Sequence, residues 1–336
     1  MILVTGGTGL VGSHLLYKLV ENGKKVKAIY RNKEKIKAVK RVFSYYSSNY
    51  EALFSEIEWV EATLNDVPSL EIAFKNVTHV YHCAAFISFD TKYYHTLRRV
   101  NIEGTANIVN LCISYNVKKL CYVSSVATIG TEENNKLITE ETHWNPEAEQ
   151  NVYAITKYGA EMEIWRGTQE GLDAVIVNPG VIIGPGFWRG GGSGSLIKMV
   201  YRGVSRYTNG VVGYVGVMDV VKPMMQLMES DITNERYILV SENLSYQDFF
   251  TKTATYLNVQ PPKKLASKFL LNIAWRLDWL RSHALNKRRR LFKHITKTIT
   301  TKALYNNKKI TEALNYNFKP IDVSLAETCQ FFLKEL

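Results

Sequence analysis

The chain opens with an apolar run, Ile2-Leu-Val-Thr5, breaks into glycines at Gly6, Gly9 and Gly12, and resumes with Leu15, Leu16, Leu19 and Val20. That pattern predicts a buried strand, a tight turn and a helix. Similar alternations follow. Val26–Tyr30 reads as a strand, Ser69–Phe74 as the start of a helix and Val77–Cys83 as another strand. Val100, Ala106, Ile108, Val109 and Ile113 recur at helical spacing across 100–115, and Leu120–Val123 is again a short apolar run. A helix is expected over 151–170 and a strand at Asp173–Val177. Short strands that are apolar on both faces and alternate with helices argue for an α/β fold, a doubly wound parallel sheet covered on two sides.

After Pro179 the pattern changes. Glycines crowd positions 184, 186, 190, 191, 192 and 194, and 243–336 is mainly helical in character. The expected organisation is a nucleotide-binding domain over 1–180, with 211–240 returning to it. A smaller, mainly helical substrate-binding or lid domain would comprise 181–210 and 241–336. Positions 269–280 are apolar almost all round. The preferred expectation packs that stripe against the lid, with Arg288, Arg289 and Arg290 facing water. The competing expectation is peripheral membrane contact through 269–297, with Trp275 and Trp279 at the lipid surface.

Composition narrows the class. The 336 residues are 46% hydrophobic and carry a formal net charge of +11. Residues 263–319 hold 15 Lys or Arg against Asp278 and Glu312 alone, so the remainder is slightly acidic. A solvated face is the plain reading of that segment, and no nucleic-acid motif accompanies it. Cys83, Cys112, Cys121 and Cys329 lack metal-site spacing and read as reduced core residues, consistent with a cytoplasmic protein without a metal site. A strand beginning at residue 2 leaves no signal peptide in this sequence, and no apolar stretch is long enough to cross a membrane.

Gly6, Gly9 and Gly12 form G-x-x-G-x-x-G between a predicted strand and helix, the context for a Rossmann-type dinucleotide site. The second strand ends Tyr30-Arg31, without the acid that accepts both ribose hydroxyls in an NAD site. Arg31 can clamp a 2′-phosphate, so NADP(H) is favoured and NAD(H) stays open. Lys33, Lys35 and Lys37 equally suit a solvated helix start, and Glu34 could take ribose contact.

Tyr153 and Lys157 stand four apart on a predicted helix and share a face. An ammonium beside a phenol lowers its pKa and suits it to proton transfer. In a chain with 20 tyrosines the pair also fits an ordinary amphipathic surface. Ser124-Ser125 follows the 120–123 strand, at the edge where parallel sheets bind ligands, although serine turns are common there. The serines lack the G-x-S-x-G elbow of a hydrolase.

Together with His82-Cys-Ala-Ala85, Asn101-Ile-Glu-Gly-Thr105, Val123-Ser-Ser-Val-Ala-Thr128 and Asn178-Pro-Gly-Val-Ile-Ile-Gly-Pro185, these motifs occur in family order. The chain resembles the extended short-chain dehydrogenase/reductases, the NAD-dependent epimerase/dehydratase superfamily. Within it, the chain is most similar to dihydroflavonol 4-reductases and 3β-hydroxysteroid dehydrogenase-like proteins. The resemblance covers roughly residues 1–240.

It implies an NAD(P)-dependent oxidoreductase that interconverts a carbonyl and an alcohol on a small, apolar or ring-containing substrate. The alternatives are a nucleotide-sugar epimerase or dehydratase, and a non-catalytic NADP-binding structural or regulatory protein. The resemblance assigns catalysis to Ser125, Tyr153 and Lys157, with Asn101 stabilising the site; as a plain reading, Asn101 is a helix cap. It assigns cofactor contact to Thr5, Gly6, Thr8, Gly9, Leu10, Val11, Gly12, Cys83, Ala84, Ala85, Ser124, Tyr153, Lys157, Pro179 and Val181, besides Arg31. Thr63-Leu64 stands where the family has Asp-Leu at the adenine. Residues 186–194 and their surroundings show no clear sugar-nucleotide signature. Phe86, Phe89, Phe187 and Trp188 are candidate substrate-pocket aromatics. The resemblance also implies a homodimer through the helices near 101–115 and 151–170.

Overall fold

The computed structural model describes residues 1–132, 136–188, 192–285 and 291–336. Its strands are β1 (Ile2–Thr5), β2 (Val26–Tyr30), β3 (Ile57–Glu61), β4 (His79–His82), β5 (Lys119–Val123), β6 (Leu137–Ile138) and β7 (Ala174–Pro179). These are followed by β8 (Val181–Ile183), β9 (Arg206–Tyr207), β10 (Val211–Gly216), β11 (Glu235–Leu239), β12 (Glu242–Ser245), β13 (Lys264–Leu265) and β14 (Leu304–Tyr305). Seven of them form one parallel sheet in the order β11-β7-β5-β4-β1-β2-β3. The direction of winding reverses between β1 and β4, which opens a crevice at their C-terminal ends.

Alternation along each strand feeds two cores. On β1, Val4 joins Leu15, Leu16 and Val177 on one side, while Leu3 joins Leu70, Ile108 and Ile164 on the other. The expected helices appear as Leu10–Glu21, Val67–Phe74, a continuous rod over 94–114, and Val152–Gln169. Asn151 caps the last of these by accepting from the Ala154 amide at 2.9 Å.

Of the segment 211–240, expected to return to the nucleotide-binding domain, only the second half joins the large sheet. Helix Met218–Glu229 and β11 do pack with the large sheet. β10 instead lies between β8 and β12 in a separate three-stranded sheet, because β11 already occupies the edge beside β7. The two sheets nearly touch at Gly180, where a Cβ would stand 2.3 Å from the Gly213 carbonyl oxygen.

Helix Lys268–Ala284 departs from the preferred expectation. Of its residues only Leu271 is buried, while Phe269, Ile273, Leu277, Trp279 and Leu280 are exposed. Sequence apolarity predicts burial, but among the described residues no element covers this face. Gly190, Gly191 and Arg288–Arg290 lie outside the described residues. Among the described residues no helix is long and apolar enough to cross a membrane.

Candidate active site

The site is built on the ends of β1, β4, β5 and β7. At β1, Gly6 adopts φ +67° and packs so tightly that a Cβ would come within 2.6 Å of the Ala84 amide. Gly12 is equally constrained: a Cβ there would stand 2.3 Å from the Gly6 carbonyl oxygen. A Cβ on Gly9 would meet only the Gly6 carbonyl oxygen, at 3.4 Å. So two glycines close the turn while the third leaves its outer surface clear. Gly9 also caps helix Leu10–Glu21 without a side-chain acceptor, and the first turn contains no acid. The amides at Leu10, Val11 and Gly12 thus present an anion-favouring helix end.

Thr5 contributes differently than expected. Its hydroxyl is fully buried and lies 2.6 Å from His82 Nδ1, so any nucleotide contact from this residue is through its backbone. Thr8 is half-exposed in the turn and Thr63 is exposed beyond β3, whereas Leu64 is buried against Gly104. Cys83 and Ala84 back the turn, with Ala85 exposed beside them. Arg31 is exposed just after β2, and the Glu34 carboxylate pairs with Lys37. Pro179 ends β7 and Val181 opens β8, across Gly180.

Ser125 and Tyr153 are brought together. Burial pushes the Tyr153 phenol up to about 12, and the neighbouring Ser125 hydroxyl partly offsets it. Lys157 is almost wholly buried, and its ammonium donates to the Tyr122 hydroxyl at 2.5 Å and the Val123 carbonyl at 2.8 Å. Burial pulls Lys157 down to about 7, against the opposing pull of Glu161 and Cys83. From sequence, the lysine is expected to depress the tyrosine. The shift runs the other way, because desolvation outweighs the neighbouring groups.

Two assigned residues act on scaffolding. Asn101 does not cap a helix. It sits inside a wide π-helical turn, Arg98–Glu103. Its side chain accepts from the Phe86 amide at 2.8 Å and donates to the Phe86 carbonyl at 3.0 Å and to Thr156 Oγ1 at 3.2 Å. It therefore fixes the loop after β4 to the helix of Tyr153. The hydroxyl of Ser124, expected at the cofactor, donates instead to Glu161 Oε2 at 2.6 Å.

That carboxylate is the main residue missing from the sequence reading. Glu161 is fully buried; its Oε2 also accepts from Thr128 Oγ1 at 2.7 Å and Asn178 Nδ2 at 3.0 Å, and its Oε1 pairs with Arg236 at 3.1 Å. One group thus joins the ends of β5 and β7 to the Tyr153 helix. Tyr153, Lys157 and Glu161 follow at four-residue intervals, so helical periodicity alone contains the signal. His82 was also missed. It stacks on Tyr122, bonds Thr105 through Nε2 at 2.9 Å, and is held neutral, down to about 3, by burial and then by Lys157.

Among the candidate pocket aromatics, Phe89 meets the Tyr153 ring edge-on, with centroids 5.7 Å apart. Phe86 packs on Tyr93, and Phe187 is half-buried. Trp188 turns away to Phe332 and donates to Glu335 at 2.9 Å.

Residues 2–238 match the model of the NAD dependent epimerase/dehydratase family. The chain belongs to that family. A putative dihydroflavonol 4-reductase of Synechocystis sp. is 31% identical over 278 residues, 81% of this chain and 77% of that protein. Sterol demethylase protein B of Methylococcus capsulatus is 28% identical, over 72% of this chain and 70% of its own. Among solved structures, gox2253 aligns with a TM-score of 0.83 at 24% identity, covering 100% of this chain and 98% of its own. UDP-glucose 4-epimerase of Thermotoga maritima aligns with a TM-score of 0.76 at 23% identity, covering 99% of both chains. These structural likenesses establish the shared fold. Every site residue named above lies in the family-matched stretch; helix Lys268–Ala284 lies beyond it.

Proposed function

We propose that this member of the epimerase/dehydratase family is an NADP(H)-dependent reductase or dehydrogenase that interconverts a carbonyl and an alcohol on a small, apolar, ring-containing substrate. The observation that carries the reading is Tyr153 beside the Ser125 hydroxyl and flanked by Phe89, at the sheet edge that also holds the glycine turn. The clear outer surface at Gly9 and the uncapped helix behind it fit a nucleotide pyrophosphate. Arg31 would hold the 2′-phosphate and Lys157 the nicotinamide ribose hydroxyls. When bound, the nicotinamide supplies or accepts a hydride.

The chain's own residues do the rest. Ser125 orients the substrate oxygen, and Tyr153 donates a proton to that oxygen in reduction or removes one in oxidation. A phenol near 12 stays protonated at neutral pH, which suits the acid role in reduction. Phe89 offers an aromatic wall to a flat substrate. The names of two relatives, a dihydroflavonol reductase and a sterol demethylase protein, accord with that substrate class.

A homodimer through helices Gly104–Ser114 and Val152–Gln169 belongs to the same reading, supported by the exposed Ile155 and Met162 on the second helix. A cytoplasmic location accords with four free cysteines.

The test supplies NADPH carrying deuterium at the transferred position, with flat aromatic and steroidal ketones. Label in the product alcohol, lost on Tyr153→Phe, is the expected result. Epimerisation of a UDP-sugar without net nucleotide turnover would select the epimerase alternative. Tight nucleotide binding with turnover of neither class would select the non-catalytic one.

A further inference from the structure

Helix Lys268–Ala284 carries its apolar face outward. Phe269, Ile273, Leu277 and Leu280 fall at i, i+4, i+8 and i+11, and are 75%, 39%, 58% and 54% exposed. Leu265 extends the stripe at one end and Leu285 at the other. The opposite face seats the helix on the protein through buried Leu271 and through Asp278, whose carboxylate accepts from the Leu291 amide at 3.0 Å. A contiguous exposed apolar stripe marks an interaction surface.

The charge around the stripe chooses the occupant. Lys263, Lys264, Lys268 and Arg276 are exposed beside it. They belong to the 263–319 segment, with its 15 basic residues and two acids. A second copy docking face to face would bring two such segments together, and like charges oppose that pairing. The helix is too short and too polar to cross a bilayer. An apolar face flanked by cations is instead the pattern of a helix lying in the headgroup region of an anionic membrane.

We infer that the chain docks on the surface of an anionic lipid bilayer through helix Lys268–Ala284. The apolar stripe enters the acyl boundary and the flanking lysines and arginines lie at the lipid phosphates. Glu149, two residues before the cap of the Tyr153 helix, lines one cleft with Lys268 and Leu271. The docked helix therefore lies directly against the loop that leads into Tyr153.

The full chain is mixed with vesicles of phosphatidylcholine alone, or of phosphatidylcholine with phosphatidylglycerol, at physiological salt. Co-sedimentation is expected with the anionic vesicles only, weakening as salt rises. Brominated acyl chains in those vesicles should quench tryptophan emission, and Trp279→Phe should remove part of that quenching. Leu277→Glu with Leu280→Glu should lower vesicle binding by about tenfold or more, since it places charge in the acyl boundary. Phe269→Ser, at the most exposed position, provides a milder second variant; both must retain the parent's melting temperature. Failure to bind anionic vesicles overturns the inference. So does binding unchanged by both variants, which would mean charge alone holds the protein. A dimer that dissociates on Leu277→Glu/Leu280→Glu, without any vesicle binding, would instead assign the face to a second copy.

Discussion

Helices Val152–Gln169 and Lys268–Ala284 are nearly equal in length, yet they invert each other. The first buries a lysine and a glutamate almost completely; the second leaves a phenylalanine and three leucine or isoleucine residues in water. Neither follows the usual sorting of polar residues outward and apolar residues inward. In the first helix every buried charge is matched: Lys157 by Tyr122 and Val123, Glu161 by four donors. Burial with matched partners fixes geometry around Tyr153. In the second, the apolar face has no matching surface among the described residues. The contrast teaches that departures from the sorting rule mark where a protein meets something else, either a substrate from within or a surface from without.

The sharpest way to break the first half of that comparison is Tyr153→Phe. Turnover should fall ~10²–10⁴-fold, the scale of a lost general acid, while calorimetry should show nucleotide affinity unchanged. If turnover survives, the polar interior of this helix is structural only.

Glu161→Gln comes next. It leaves Arg236 without its buried anion, at a cost of about 3 kcal/mol in denaturant unfolding. It also removes the carboxylate that holds the Lys157 pKa up. The sign follows: Lys157, already down to about 7, should lose its proton at still lower pH. The corresponding limb of the kcat/KM profile should move toward acid, and Glu161→Asp should restore part of it. A purely architectural glutamate would lower stability without moving that limb.

Nucleotide choice gives a smaller effect. Arg31→Ala should weaken NADPH about tenfold, the worth of one charge-assisted contact, and leave NADH unaffected in titration. Equal affinity of the parent for both nucleotides would remove the argument from Arg31.

The smallest expected effect sharpens the contrast itself. Leu277→Ser should shift unfolding stability by no more than ~0.5 kcal/mol, as for an exposed site. Ile164→Ala, on the buried face of the first helix, should cost ~2–5 kcal/mol. Similar losses for the two would mean the second helix is covered in solution.

The sequence made the nucleotide half legible because each strand there is an apolar run punctuated by glycine or a cap, and such signals are local. Ser125, Tyr153 and Lys157 fell on strand end and helix as expected for the same reason. What was not legible depended on distant neighbours. The run at 211–216 shows a strand, but only the capture of the β7 edge by β11 decides which sheet it joins. The hydroxyls of Thr5 and Ser124 look available until His82 and Glu161 take them. The apolarity of 269–280 says that the segment seeks cover, not whether the chain supplies it.

The wide turn at Arg98–Glu103 has a further consequence. Residues 94–114 form one continuous rod, and this turn places the Asn101 amide against Phe86 while Gly104 rests on Leu64. Winding the same residues at regular α-helical pitch would rotate one of those two contacts by about 100°, one residue's share of a turn. The wide turn therefore sets the phase between the two halves of the rod. It should accept many changes of side chain away from Asn101 and Gly104.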